Sequence, residues 1–433
     1  MDSADFARWL RDATPYIRAH RGRTFVVLLD AEVVDCPNLG DLVRDLALLH
    51  ALGIRLAIVH DAPGADAADV VDAQSRDALI AATGLVRSRL EAHFSALAPL
   101  GPGGSERIVL VGANLVAAKP RGIADGVDQQ FAGEPRRIAT EEIGRLLDQR
   151  CIVLLPPFGY SNAGEAFVLN AATLAAETAT ALGADKLIVY DAMERVNDIS
   201  QISPSALAGL LASDRFSGAS RSRLEALLRA TRGGVARGHF ISWRSDGALL
   251  RELFTAEGVG TQVSEGDYRT IRPARVADIP GILELIRPLE DAGLLVRRPR
   301  NRLEAEIDRF HVAELDGIVI GCCALYPHGD AMELACLAVH PSHRSVVDGK
   351  TLGERLLSHA REVARTRGAL DLFVLTTGAE DWFAARGFRP AELDALPASK
   401  RALYNYRRNS RVLIESLAMR ESGAAAGAVS SEV

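Results

Sequence analysis

No stretch of the 433 residues approaches the roughly 18 consecutive apolar residues of a membrane-crossing helix, so a helical membrane span is not expected. The opening MDSADFARWLRD is acidic and lacks the apolar core of about 7–15 residues found in secretory leaders, which argues against export. Cysteine is scarce. The five thiols, Cys36, Cys151, Cys322, Cys323 and Cys336, are odd in number, without C-x-x-C spacing or histidines at metal-ligand intervals, so they read as reduced thiols in a cytoplasmic protein with no metal site. Basic charge has no surplus: 50 Lys and Arg stand against 56 Asp and Glu, a formal charge of −6, which excludes a global field for nucleic acid or anionic lipid. An anionic ligand has to be met locally. Aromatic residues are 5% of the chain, yet hydrophobic residues reach 48%, the balance of a packed, alanine-rich protein rather than a disordered one.

Length predicts two or three domains. Phe6, Trp9, Leu10, Ala13, Tyr16 and Ile17 recur at helical spacing and Gly22 follows, so residues 1–22 read as an amphipathic N-terminal helix. From residue 23 to 263 continuous apolar runs (TFVVLL, IRLAIVH, RIVLVG, CIVLLPPF, KLIVYD) alternate with helical patterns, which predicts an α/β domain with a mostly parallel sheet covered on both faces. A polar, glycine-bearing stretch, GVGTQVSEGDYRT, marks the linker. Residues 264–420 then read as α+β with a central antiparallel meander, built on HVAEL, IVIGCCAL and AMELACLAV, while the tail 421–433 has too little bulky apolar surface to pack and is expected to be disordered.

The segment richest in chemistry is LACLAVHPSHRSVVDGKTLGERLL, residues 334–357. A strand ends at Val339, and a basic, glycine-bearing loop opens an amphipathic helix, presenting unpaired backbone N–H groups and the positive end of a helix dipole to an anion. Gly349, Thr351 and Gly353 keep the turn slim; Arg344 and Lys350 supply charge.

Here the chain resembles the Gcn5-related N-acetyltransferases, whose acetyl-CoA pyrophosphate sits on such a strand–loop–helix. The family loop is R-x-x-G-x-G/A; in this chain Ser345 to Asp348 separate Arg344 from Gly349, and Thr351 replaces a glycine. Taken whole, residues 5–415 resemble the N-acetylglutamate synthases of arginine biosynthesis, an amino-acid-kinase-like domain joined to an acetyltransferase domain, through YIRAHRGRTFVVLL, GIADGVD, DGALLRELFTAEGVGTQ, GILELIRPLEDAGLLVRR, ELACLAVHP, WFAARGF, LPASKRALYNY and RRNSRVL. That resemblance implies acetyl transfer from acetyl-CoA, as co-substrate, to L-glutamate, with no cofactor and no metal. It implies acetyl-CoA contacts at Leu337, Val339, Arg344, Gly349, Lys350, Thr351, Leu352 and Gly353, and glutamate contacts at Arg297, Arg408 and Ser410. Arg298, Arg300, Arg407 and Arg411 are rival neighbours that sequence does not rank. An acceptor ammonium must lose a proton before it attacks, and Glu333 is the candidate base, on the strand just before the acetyl-binding part. Cys336 offers a runner-up route through an acetyl-cysteine. An acetyltransferase for another amino acid or amine, and an amino-acid-sensing binding protein with an inactive acetyltransferase half, remain as alternatives.

The first domain departs from a working kinase. Where glycine-rich turns cradle ATP the chain reads Leu29-Asp30-Ala31-Glu32 and His60-Asp61-Ala62-Pro63, and carboxylates repel phosphate. The resemblance instead implies a site for feedback inhibition by arginine at Tyr16, His239, Glu252 and Gly260, and a homo-oligomer, with a hexamer among the candidates. Singly, Tyr16 also reads as core and His239 as a structural histidine.

Overall fold

The structure is a computed structural model that describes residues 13–61, 70–97, 107–213, 215–255, 258–264, 270–315, 317–343, 351–402, 404 and 410–417. Arg344, Gly349, Lys350, Arg408, the first twelve residues and the tail 421–433 therefore lie outside the described residues. Two compact units, Met1–Tyr268 and Arg269–Val433, divide the chain, somewhat beyond the expected division after residue 263.

In the first unit the elements run α1 (13–20), β1 (Thr24–Leu29), α2 (Ala31–Val34), α3 (Leu39–Ala51), β2 (Arg55–His60), α4 (Ala73–Ser95), β3 (Val109–Gly112), β4 (Val116–Pro120), β5 (Ile123–Ala124), β6 (Val127–Asp128), β7 (Gly133–Ile138), α5 (Thr140–Asp148), β8 (Cys151–Leu155), β9 (Phe158–Tyr160), β10 (Ala166–Val168), α6 (Ala171–Ala181), β11 (Lys186–Asp191), β12 (Gln201–Ile202), α7 (Pro204–Leu211), α8 (Gly218–Arg232), β13 (Arg237–Ser242), α9 (Ala248–Phe254) and β14 (Thr261–Val263). Eight strands form one sheet in the order β12-β14-β13-β11-β1-β2-β8-β3, parallel except where β13 meets β14. Every residue of β1 is buried, because alternate side chains feed two cores: Phe25, Val27 and Leu29 pack with α3, α4 and α9, while Val26 and Leu28 pack with α6 and α8. This is why its strands read as unbroken apolar runs. The sequence pattern gave no sign of a second, four-stranded sheet, β10-β9-β4-β7. Its members, VAAKP and GEPRRI among them, are short and half-exposed, too polar to stand out as strands.

The second unit contains β15 (Thr270–Pro273), α10 (Ile279–Asp291), α11 (Arg300–Ala305), β16 (Phe310–Leu315), β17 (Ile318–His328), β18 (Ala331–Val339), α12 (Leu352–Thr366), β19 (Asp371–Thr376), α13 (Glu380–Ala384), β20 (Arg389–Ala391), α14 (Ala398–Arg401) and β21 (Arg411–Ser416). The sheet order is β15-β16-β17-β18-β19-β21-β20, antiparallel except for the β18–β19 pair. One face packs on α12 through Met332, Leu334, Leu356 and Leu372; the other packs on α10 through Ile282, Ile286, Val312 and Cys336.

Candidate active site

β18 and β19 pair only at Ala331 with Asp371, Met332 with Leu372 and Glu333 with Phe373, and then part. The cause lies on β18: its register with β17 slips between Cys322–Ala338 and Ala324–Ala335, so β18 carries an extra residue, and Cys336 takes a φ of 50°. A β-bulge of this kind bends and twists its strand. Into the resulting fork opens a cavity of 480 Å³, lined by Leu334 to Val339 on one arm, Val374 to Ala379 on the other, and by Trp382, Thr351 and Gly353. Past Glu333 the β18 edge facing β19 has no strand to pair with, and an extended ligand bearing amides can take the place of a strand on such an edge.

At one end of the cavity α12 begins. Thr351 is its N-cap: the hydroxyl accepts from the Glu354 N–H at 3.3 Å, and the Glu354 carboxylate accepts from the Thr351 N–H at 2.7 Å and its hydroxyl at 2.9 Å. The T-x-x-E spacing is that of a capping box. These bonds, with Arg386 at 2.7 Å, hold the Glu354 carboxyl below its usual range. The N–H groups of Leu352 and Gly353, in the first turn, have no intrahelical acceptor. Gly353 also makes room: a Cβ there would stand 3.2 Å from the Trp382 ring, over which Arg386 lies at 4.2 Å.

On the α10 side of the sheet Glu333 is buried, its neighbours Met332 and Leu334 pointing to the opposite core. Its Oε1 accepts from Lys400 Nζ at 2.7 Å and its Oε2 lies 3.4 Å from His328 Nε2. Burial pushes the Cys336 thiol up to about 11, Cys323 up to about 12 and Cys322 higher than usual, so at neutral pH none of the three is a ready thiolate. The arginines of the LLVRRPR run separate clearly. Arg297 has a side chain 81% exposed and pairs with Asp291 at 2.8 Å. Arg298 turns inward: its Nε is buried with no hydrogen-bond partner among the described residues, while its Nη1 donates to the Val296 carbonyl at 3.0 Å. Burial opposes the Arg298 charge, but Cys336, Tyr326 and Glu306 beside it hold the guanidinium above its usual value. Ser410 is half-buried, and its carbonyl accepts from the Tyr404 hydroxyl at 2.6 Å.

Two family descriptions match the chain: the amino acid kinase family over residues 24–242 and the acetyltransferase (GNAT) domain over residues 306–390. The full length is similar to the amino-acid acetyltransferase of Pseudomonas aeruginosa, 44% identical over 436 residues that cover 95% of this chain and 100% of that protein. The chain belongs to the amino-acid acetyltransferases. The Pseudomonas putida amino-acid acetyltransferase is likewise 44% identical over 438 residues, covering 95% of this chain and 100% of that one. Among solved structures the chain is similar to the N-acetylglutamate synthase of Neisseria gonorrhoeae complexed with coenzyme A and L-arginine, at TM-score 0.82 and 35% identity over 96% of this chain and 99% of that chain. It is thus an amino-acid N-acetyltransferase, with the acetyltransferase fold in its second unit.

The first unit of this amino-acid acetyltransferase brings three of its four candidate effector residues together. His239 Nδ1 lies 2.7 Å from Glu252 Oε1, Lys186 Nζ lies 3.3 Å from His239 Nε2, and Glu252 Oε2 accepts from the N–H groups of Val259 and Gly260 at 2.8 and 2.9 Å. Burial and the Lys186 charge pull His239 below its usual value, leaving a neutral ring that donates to Glu252. Burial alone would raise Glu252, but the bonds from His239, Gly260 and Val259 hold it at about 2. Gly260 is required sterically, since a Cβ would meet the Phe240 carbonyl oxygen at 2.2 Å. Tyr16 stands on α1, which is tied to α9 by His20 Nε2 and the Leu253 carbonyl at 3.1 Å.

At the carboxyl ends of β1 and β11, where ligands of open parallel sheets bind, lies an ion cluster built on a buried arginine. Arg223, 2% exposed, bonds Asp30 and Asp191, and reaches Glu32 at 3.0 Å. Asp30 also caps α2, accepting from the Val33 N–H at 3.3 Å. Of the carboxylates expected to repel phosphate, Asp30 and Glu32 are therefore paired with an internal guanidinium, which for Asp30 is a partner 193 residues away that no local pattern announced.

Proposed function

We propose that this amino-acid acetyltransferase transfers the acetyl group of acetyl-CoA to the α-amine of L-glutamate, giving N-acetyl-L-glutamate and CoA, and that arginine bound to its first unit inhibits it. The observation that carries the reading is the fork with Glu333 at its vertex: a thioester lying along the unpaired edge of β18 has a buried carboxylate beside it. The backbone groups of Leu337 and Val339 pair with the pantetheine amides and polarise the thioester carbonyl. The pyrophosphate takes the free N–H groups of Leu352 and Gly353 behind the Thr351 cap, with Arg344, Gly349 and Lys350 supplying the rest of the loop.

Transfer is direct. Glu333 receives a proton from the acceptor ammonium, the amine nitrogen attacks the thioester carbon, and the C–S bond breaks as the sulfur takes a proton from the new amide nitrogen. An acetyl-cysteine route is disfavoured by the raised Cys336 thiol. Arg298, turned inward, is the first carboxylate anchor, with Arg408 and Ser410 for the second and the exposed Arg297 in the outer ring. Arginine is read by Glu252 and His239, with Gly260 and Tyr16 bordering it. Support also comes from the gonococcal relative, whose structures are complexed with coenzyme A and L-arginine and with coenzyme A and N-acetyl-glutamate. The protein acts in the cytoplasm as a homo-oligomer.

The test is CoA release across a panel of amino acids, with and without arginine. Glutamate should give the highest kcat/KM, and arginine should lower it. A better acceptor with one carboxylate, or none, overturns the assignment.

A further inference from the structure

At neutral pH the acceptor enters as an ammonium and leaves as an amide while CoA leaves as a thiol, so each turnover sheds one proton. Resting on the reading of Glu333 as the base, that proton must leave the buried carboxylate before the next cycle. Among the described residues the Glu333 carboxylate has two partners, and neither lines the fork cavity. Lys400, on α14, holds Oε1 at 2.7 Å. His328, the last residue of β17, lies against Oε2 at 3.4 Å through Nε2, and its Nδ1 lies 3.0 Å from the hydroxyl of Ser399, which is exposed. The geometry is set by the hairpin: Gly329, at φ 66°, and Asp330 turn β17 into β18, so His328 faces Ala331 and Glu333 sits diagonally beside it. Phe373 from β19 packs against the imidazole, ring centroids 5.7 Å apart and tilted by 49°, and shields its flank. The charged groups facing His328 are thus Glu333 from β18 and, across the same carboxylate, Lys400 from α14, while β19 contributes an uncharged ring.

We propose that His328 is the proton exit of the acetyltransferase site, with Lys400 as the positioning residue that holds Glu333. Glu333 Oε2 passes its proton to the facing His328 Nε2, on a ring whose second nitrogen, Nδ1, lies against the Ser399 hydroxyl and offers the way out. The imidazolium then gives its Nδ1 proton through the Ser399 hydroxyl to water, and the ring regains its starting tautomer by exchange with solvent. Glu333 is ionised again, and nothing else is consumed. The long 3.4 Å separation suits a contact that shortens when the imidazole is charged.

The full-length protein tests this with His328→Gln and His328→Ala beside Glu333→Gln. Each His328 variant should lose kcat by about 10²-fold while the KM values for glutamate and acetyl-CoA stay within about threefold. The acid limb of the kcat–pH profile should flatten, and added imidazole should restore turnover in His328→Ala. A structural role alone moves thermal stability and both KM values without imidazole rescue. If Glu333→Gln is impaired while the His328 variants keep the kcat and pH profile of the unmodified enzyme, the exit is refuted and the base stands. Full kcat in Glu333→Gln removes the base itself. Should the His328 variants fold poorly, Ser399→Ala keeps the ring and interrupts the last step; unchanged turnover and pH profile there overturn the proposal.

Discussion

Replacing Arg298 by Met tests which arginine of the LLVRRPR run reads the acceptor. Methionine keeps most of the aliphatic volume and deletes only the guanidinium, whose buried Nε has no hydrogen-bond partner among the described residues. A charge-assisted contact to a substrate carboxylate contributes about 1.5–3 kcal/mol. At about 1.4 kcal/mol per decade, its loss raises the glutamate KM by about 10- to 150-fold. Arg297 is solvated and bound only to an exposed Asp291, so Arg297→Met should change the same KM by about twofold or less. The scaffold should survive in both, because the Tyr326 hydroxyl still donates to Glu306 at 2.6 Å behind the Arg298 site. The assay is steady-state CoA release with glutamate varied at saturating acetyl-CoA, then the reverse, with thermal unfolding measured alongside. A larger effect at Arg297, or equal rises in both KM values for Arg298→Met, would show that the inward guanidinium does not hold the acceptor.

Other outcomes follow from the same geometry. Glu333→Gln should lower kcat by about 10²–10⁴-fold and leave acetyl-CoA binding intact, measured by titration calorimetry. Cys336→Ala should stay within about tenfold of full activity, and mass spectrometry after mixing with acetyl-CoA should find no acetylated protein; a trapped acetyl-cysteine reverses the choice of mechanism. Arg223→Met leaves Asp30 and Asp191 buried without their cation and should cost about 3–5 kcal/mol, read as a lower denaturation midpoint that Asp30→Asn and Asp191→Asn partly restore. Glu252 is held at about 2 against an ordinary 4.5, so its contribution to stability is whole above the ordinary value and lost as pH falls towards the lower one. Glu252→Gln should remove that part of the acid transition and weaken arginine inhibition while basal turnover persists.

The parallel sheet was legible because β1, β2, β8 and β11 are buried on both faces and so write themselves as apolar runs. The four-stranded sheet was not, since a short strand such as GEPRRI carries neither a continuous run nor a clean alternation. Glu333 could be picked from its place on an alternating strand. Its partners could not: Lys400 lies 67 residues away, and His328 reaches it diagonally across a hairpin whose register is a tertiary fact. The arginine run shows the same limit, since three arginines within four residues, Arg297, Arg298 and Arg300, cannot say which guanidinium turns inward; that is decided by the chain's path from α10 to α11.

Only three rungs, at Ala331, Met332 and Glu333, join the two halves of the second unit's sheet along the β18–β19 seam. A donor molecule threaded along that seam adds rungs of its own, so it acts as a splint as well as a reagent. Amides on the far arm, at Val374 to Thr376, should therefore exchange with deuterium more slowly once the donor is in place, and the whole unit should melt later in its presence. A seam splinted in this way favours an order of arrival with the thioester first and the amino acid second, which initial rates with both substrates varied would check.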